Sequence, residues 1–338
     1  MDWKRIAVRT AAVALLALIA LLLVPRSYDV PAIQPRAGTH YWELSTGSKI
    51  GYFKVKHTGT AEKTPILYVH GGPGGAVRDA LIEALRPFAA RGHDLYFYDQ
   101  IGSGHSARLS DISEYTVERH SADLQAIIEQ IGASKIILVG HSWGCMLLVN
   151  WLQNYSTDPV EKVIFEVPGP ILPVNPNLKS RMPDPRLGLT NPHFANSDAT
   201  VQTENFRTCA VRTAATWGIK LATDREMDAY ATHLNQAWSR STTCGSKRRI
   251  PPTAGTGYYA HYATVKSFNS VPDRRAALSS LDFPVLVIKA QCDNQPWGFT
   301  SEYLDFFNNA ELKVLEKSGH DIATENPYAY LQAILDFL

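Results

Sequence analysis

Residues 136–144 read Ile136-Ile137-Leu138-Val139-Gly140-His141-Ser142-Trp143-Gly144. An apolar, β-rich run stops at Gly140, and the apolar stretch Cys145-Met146-Leu147-Leu148-Val149-Asn150-Trp151-Leu152 follows at once, with no breaker. This pattern predicts a strand, a very tight turn and a helix. The turn crowds its neighbours, so Gly140 and Gly144 clear space around Ser142, whose hydroxyl is then exposed at the sheet edge. The next backbone N–H, that of Trp143, points towards an incoming carbonyl oxygen. The competing reading is a chance Gly-Ser-Gly loop, which the flanking strand and helix argue against.

A serine hydroxyl is a weak nucleophile. It needs a base, and the base needs an orienting carboxylate. On a turn of this kind the chain order is serine, acid, histidine, with both partners just past strand ends. Ile288-Lys289-Ala290-Gln291-Cys292-Asp293 puts a carboxylate in such a place, and Glu316-Lys317-Ser318-Gly319-His320 an imidazole. Asp282 lies at the wrong end of its strand, and Asp321 leaves no separate strand for the histidine. Upstream, Ile66–Val69 runs into His70-Gly71-Gly72-Pro73-Gly74-Gly75, where glycines let backbone approach a substrate closely. Gly72 and Trp143 are the expected N–H donors to a developing oxyanion. No Gly-Lys-Ser/Thr follows this loop, against a phosphate cradle, and Gly102-Ser103-Gly104-His105-Ser106-Ala107 opens no apolar helix, against a dinucleotide site. No His/Cys/Asp pattern has metal-ligand spacing.

Strands and helices alternate through most of the 338 residues, which predicts a mostly parallel sheet with helices on both faces. A hairpin opens it (Tyr41–Leu44, Lys49–Lys56), then come strands at Ile66–Val69, Asp94–Asp99 and Val163–Val167 and helices at Ala80–Ala90 and Val117–Ile131. Alternation lapses over residues 169–279, rich first in Pro173, Pro176, Pro183, Pro185 and Pro192 and then helical (Val201–Lys220, Asp224–Trp238). This reads as a helical cap inserted into a core of residues 40–168 and 280–338. The core resumes with strands at Pro284–Ala290 and Leu312–Leu315 and closes with a helix, Tyr328–Leu338.

Residues 1–27 differ from the rest. Ala11–Val24 is uninterrupted and apolar, preceded by Lys4, Arg5 and Arg9 and stopped by Pro25-Arg26-Ser27. The segment reads as a signal anchor or a signal peptide, with the bulk of the chain outside the cytoplasm, membrane-anchored or secreted. With 33 basic and 32 acidic residues there is no electrostatic footprint for nucleic acid. Lys247-Arg248-Arg249, before Pro251-Pro252, reads as a solvated loop. Of four cysteines, Cys145 and Cys292 read as buried free thiols, while Cys209 and Cys244 are expected to form a disulfide.

Three blocks together resemble the prolyl iminopeptidase branch of the α/β-hydrolase superfamily: His70–Gly75, Tyr98-Asp99-Gln100-Ile101-Gly102-Ser103-Gly104-His105-Ser106, and Gly140–Gly144. Ile101 stands where that branch usually has Arg. The resemblance implies an α/β-hydrolase fold with an inserted helical cap, Ser142 as nucleophile, His320 as base and Asp293 as its orienting acid. It implies neither metal nor organic cofactor. Such aminopeptidases hold the substrate's α-amino group with acidic cap residues, for which Glu204 and Glu166 are the leading candidates here, ahead of Asp224, Glu226 and Asp228. The expected partner is a short peptide or small molecule. An esterase, lactonase or amidase with the same three residues, and a non-catalytic binding protein on this scaffold, are the alternatives.

Overall fold

The computed structural model describes residues 3–59, 61–190, 196–245 and 254–338. Pro192, Lys247-Arg248-Arg249 and Pro251-Pro252 lie outside them. The chain begins with helix α1 (Trp3–Leu23), which is solvent-exposed and long and apolar enough to cross a membrane. An antiparallel hairpin follows, β1 (Thr39–Glu43) and β2 (Lys49–Val55). Then come β3 (Lys63–Val69), α2 (Asp79–Leu85), β4 (His93–Tyr98), α3 (Val117–Ile131), β5 (Ile136–His141), α4 (Trp143–Asn154) and β6 (Val160–Glu166). An insertion carries α5 (Asn196–Thr203), α6 (Phe206–Thr216), α7 (Asp224–Thr242) and α8 (Tyr258–Ser267). The chain closes with β7 (Val285–Ala290), α9 (Trp297–Phe306), β8 (Ala310–Leu315), α10 (Ile322–Glu325) and α11 (Pro327–Phe337).

The eight strands form one sheet in the order β1-β2-β4-β3-β5-β6-β7-β8. β2 is antiparallel to β1 and β4, and every other pairing is parallel. The expected α/β architecture is therefore the observed one. Successive side chains on a strand point to opposite faces, and a parallel sheet covered on both sides makes both faces apolar. Leu67, Val69, Leu138, Val163 and Phe165 accordingly pack into one core with α3 and α4. Ile66, Tyr68, Ile137, Val139 and Ile164 pack into the other with α2 and α11. At the sheet edge, β8 alternates exposed and more buried positions.

α3 spans the expected residues because both ends carry their stop signals: Thr116 accepts from the Arg119 N–H, and Gly132 closes the helix at φ 66°. The single helix expected over Val201–Lys220 is broken at Asn205, whose side chain accepts from the Thr208 N–H in a capping box that starts a new helix, α6.

The cysteine assignment is corrected. Cys244 is bonded to Cys292, with Cα atoms 5.2 Å apart, while Cys145 and Cys209 are free. The chain just beyond α7 returns to the core beside the end of β7, and this brings Cys244 to Cys292. Cys145 is buried, as expected.

Candidate active site

Ser142 occupies the turn between β5 and α4 at φ 55°, ψ −114°, a conformation that L-residues rarely hold. Its neighbours are small of necessity. A Cβ on Gly144 would stand 2.0 Å from the Val69 carbonyl oxygen, and one on Gly140 2.9 Å from the Cys145 nitrogen. Gly71 passes so close that its Cβ would meet the Ser142 Cβ at 3.1 Å. The turn is held from the adjacent strand, where the Ser142 N–H donates to the Glu166 carbonyl over 2.9 Å. Gly72 and Trp143 lie beside it, and neither backbone N–H has a protein partner among the described residues.

Asp293 follows β7 and His320 follows β8. His320 Nδ1 lies 2.7 Å from Asp293 Oδ1, and the carboxylate also accepts the Gln295 N–H at 3.2 Å. Burial pushes the Asp293 carboxyl up, but the adjacent Lys289 ammonium and His320 outweigh it and hold it below the usual carboxylate range. His320 and Ser142 line one cavity of about 320 Å³, together with Gly72, His141 and Glu166. The His320 backbone N–H donates to the Thr242 carbonyl at the end of α7 over 2.7 Å, and the Gly319 N–H donates to Glu325. The histidine loop is thus fixed by the insertion as well as by the core.

The three sequence blocks meet here through one side chain. The Gln100 backbone N–H donates to His70 Nε2 over 2.9 Å, its amide donates to the His70 carbonyl over 2.8 Å, and its amide oxygen accepts the Trp143 indole N–H over 2.8 Å. His70 Nδ1 faces the Gly71 carbonyl at 2.8 Å, which fixes its tautomer. Burial lowers the His70 pKa, although Asp99 opposes it. Asp99 takes the N–H groups of Val77 and His105, each over 2.8 Å. Ile101, the departure from the usual pattern, is buried in the main apolar core.

The acidic candidates occupy two kinds of place. Glu166, at the end of β6, is fully buried and takes the hydroxyls of Tyr330 (2.6 Å) and Tyr68 (3.3 Å), with His141 Nδ1 at 3.6 Å. Glu204 lines a second cavity of about 280 Å³ that adjoins the first and is walled by Tyr230, Leu234, Trp238, Tyr258 and Tyr262. Its carboxylate is paired with Arg212. Glu226 is paired with Arg207, Asp228 with Arg108 and Asp224 with Lys220. Desolvation raises the Asp228 carboxyl to about 6 in spite of its arginine.

Three contributors were not singled out from sequence: Lys289, Thr242 and the Cys244–Cys292 link. Only Lys289 left a signal there, as a lone cation inside the apolar run Val285-Leu286-Val287-Ile288-Lys289-Ala290.

Compared with known proteins, residues 64–327 match the family described as the alpha/beta hydrolase fold, and the chain belongs to that family of enzymes. A proline iminopeptidase of Lactobacillus delbrueckii subsp. bulgaricus is 35% identical over 107 residues, 31% of this chain and 36% of that protein. The chain thus spans about a third of the length of this curated relative. A proline iminopeptidase of Heyndrickxia coagulans is 24% identical over 301 residues, 87% of this chain and 96% of that protein. Among solved structures, an esterase from Exiguobacterium antarcticum matches with TM-score 0.60 at 14% identity, covering 88% of this chain and 98% of that one. An enol-lactonase from Burkholderia xenovorans LB400 matches with TM-score 0.56 at 15% identity, covering 88% and 99%. These two likenesses are of fold.

Proposed function

We propose that the protein is a serine hydrolase that works through an acyl-enzyme on Ser142. The observation that carries the reading is the 2.7 Å contact of His320 Nδ1 with Asp293 Oδ1 beside a cavity that His320 shares with Ser142. The Ser142 hydroxyl attacks a carbonyl carbon as His320 takes its proton, and Asp293 stabilises the imidazolium. The Gly72 and Trp143 N–H groups hold the tetrahedral oxyanion, each donor being worth roughly 3–4 kcal/mol of transition-state stabilisation. His320 then protonates the leaving group, and water activated by the same imidazole releases the acid. Ser142→Ala is expected to abolish turnover, and a fluorophosphonate probe to label the wild type alone. Undiminished activity in that variant would end the assignment.

The similarity to proline iminopeptidases supports release of N-terminal residues from short peptides, with Glu204 in the adjoining cavity as the amine contact and the insertion acting as a cap. A second reading, a small ester, lactone or uncharged amide, is favoured by a specific observation: Glu204, Glu226, Asp224 and Asp228 each already have a basic partner. Aminoacyl naphthylamides with free, acylated and absent amines separate the two. A kcat/KM independent of the amine supports the second reading and defeats the first.

We further infer that α1 anchors the protein, with the catalytic unit outside the cytoplasm. The apolar exposed helix and the disulfide, a bond of oxidising compartments, support this. Release of the full chain from membranes by alkaline carbonate would refute an anchor.

A further inference from the structure

All six residues of β7 are buried, and the Lys289 side chain is 3% exposed. A cation in such a place requires partners. Its Nζ donates to Asp293 Oδ2 over 2.6 Å and to the Gln295 carbonyl over 2.7 Å. The other oxygen of the same carboxylate faces His320 Nδ1. One buried carboxylate is therefore divided, oxygen by oxygen, between an ammonium and an imidazole.

We propose that Lys289 is a positioning residue for the reaction: it fixes the plane of the Asp293 carboxylate and offsets its charge, and so sets the lower pH limit of activity. The proposal rests on the Ser142 reading above. An orienting carboxylate favours the protonated form of its histidine, because opposite charges attract in a site of low dielectric. A second cation on that carboxylate competes for the same charge. The imidazolium therefore gains less from Asp293 than it would beside an unshared carboxylate. The gain is a wider working range.

The other charged or titratable groups around the pair come from neighbouring elements. His141, at the end of β5, has its ring centre 5.1 Å from that of His320, and Glu166 lies behind it. Asp321 is paired with Arg78, and Glu325 accepts the N–H groups of Gly319 and Cys244. None of these contacts Lys289, so substitution of the lysine changes one charge in the site.

The test is the second-order rate of fluorophosphonate labelling of the full chain from pH 5 to 9, for wild type, Lys289→Met and Lys289→Gln. In Lys289→Met the acid limb is expected to move up by about one pH unit, a roughly tenfold loss of rate at the acid end, with a smaller loss on the alkaline plateau. Lys289→Gln removes the charge but keeps an N–H donor near Asp293. It is expected to shift the limb the same way, and it serves where a thermal melt shows the Met variant unfolded. A folded variant whose rate falls equally at every pH, or does not fall, overturns the proposal. Absence of labelling in the wild type at every pH refutes the Ser142 reading itself, and the role of Lys289 with it.

Discussion

The indole N–H of Trp143 donates to the amide oxygen of Gln100 across 2.8 Å, and both residues are buried. The residue after the candidate nucleophile is thereby tied to the loop after β4, and through His70 to the glycine-rich loop after β3. Three loops that share no sequence neighbourhood are aligned by one amide.

Gln100→Leu should leave the Trp143 indole N–H and the His70 carbonyl without partners. The expected cost is about 1–3 kcal/mol for each buried group orphaned, read as a drop in thermal midpoint. Misalignment of the two proposed oxyanion donors, Gly72 and Trp143, should also lower kcat/KM by about tenfold to a hundredfold. Wild-type kinetics in a destabilised variant would show that the bridge serves folding alone.

Gly144 and Gly218 give a contrast in steric cost. A Cβ on Gly144 meets the Val69 carbonyl oxygen at 2.0 Å, whereas one on Gly218 meets nothing within 4 Å. Gly144→Ala is expected to cost about 4 kcal/mol or more, or to prevent folding. Gly218→Ala, strained only by its φ of +77°, should cost about 1–2 kcal/mol. Chemical denaturation of the pair checks the order.

Peptide mapping without reductant is expected to recover the Cys244–Cys292 linkage, with Cys145 and Cys209 as thiols. The bond closes a loop of 48 residues, and on the chain-entropy account its loss in Cys244→Ser should lower stability by about 4 kcal/mol. A recovered Cys209–Cys244 linkage would contradict the structure.

Asp94 carries an acid-side prediction. Burial raises its carboxyl, but Lys54 and the backbone and ring N–H groups of His57 lower it to about 2. A depressed carboxyl contributes stability that is complete above its unfolded value near 4 and disappears as pH falls through the folded value near 2. The contribution is about 2 kcal/mol. In Asp94→Asn, stability at neutral pH should fall by this order, and the decline between pH 4 and pH 2 should be shallower than in the wild type.

The core was legible because its rules are local. Short continuous apolar runs marked the strands, apolar spacing marked the helix over Val117–Ile131, and the Gly-flanked serine marked the turn after β5. Asp293 and His320 were singled out because each follows a strand end, and the structure brings them within 2.7 Å of each other. The insertion was less legible, since its helices are set by caps such as Asn205 and by contacts distant in sequence. The partner of Cys244 depended on where the chain beyond α7 returns to the core, and spacing alone does not encode that path. The charges in the insertion were hard to read for a related reason: a carboxylate in sequence shows its sign but not that an arginine pairs with it, as Arg212 does with Glu204.

α7 joins two parts of the molecule that are otherwise remote. Near its start, Glu226 receives the backbone N–H of Arg26 and pairs with Arg207, which in turn reaches the Leu22 carbonyl at the end of α1. At its finish, Thr242 takes the His320 N–H and Cys244 is bonded to the residue before Asp293. Nineteen helical residues make a strut of about 28 Å. A tilt or tug delivered to the N-terminal segment would travel along this strut straight to the loops that carry His320 and Asp293.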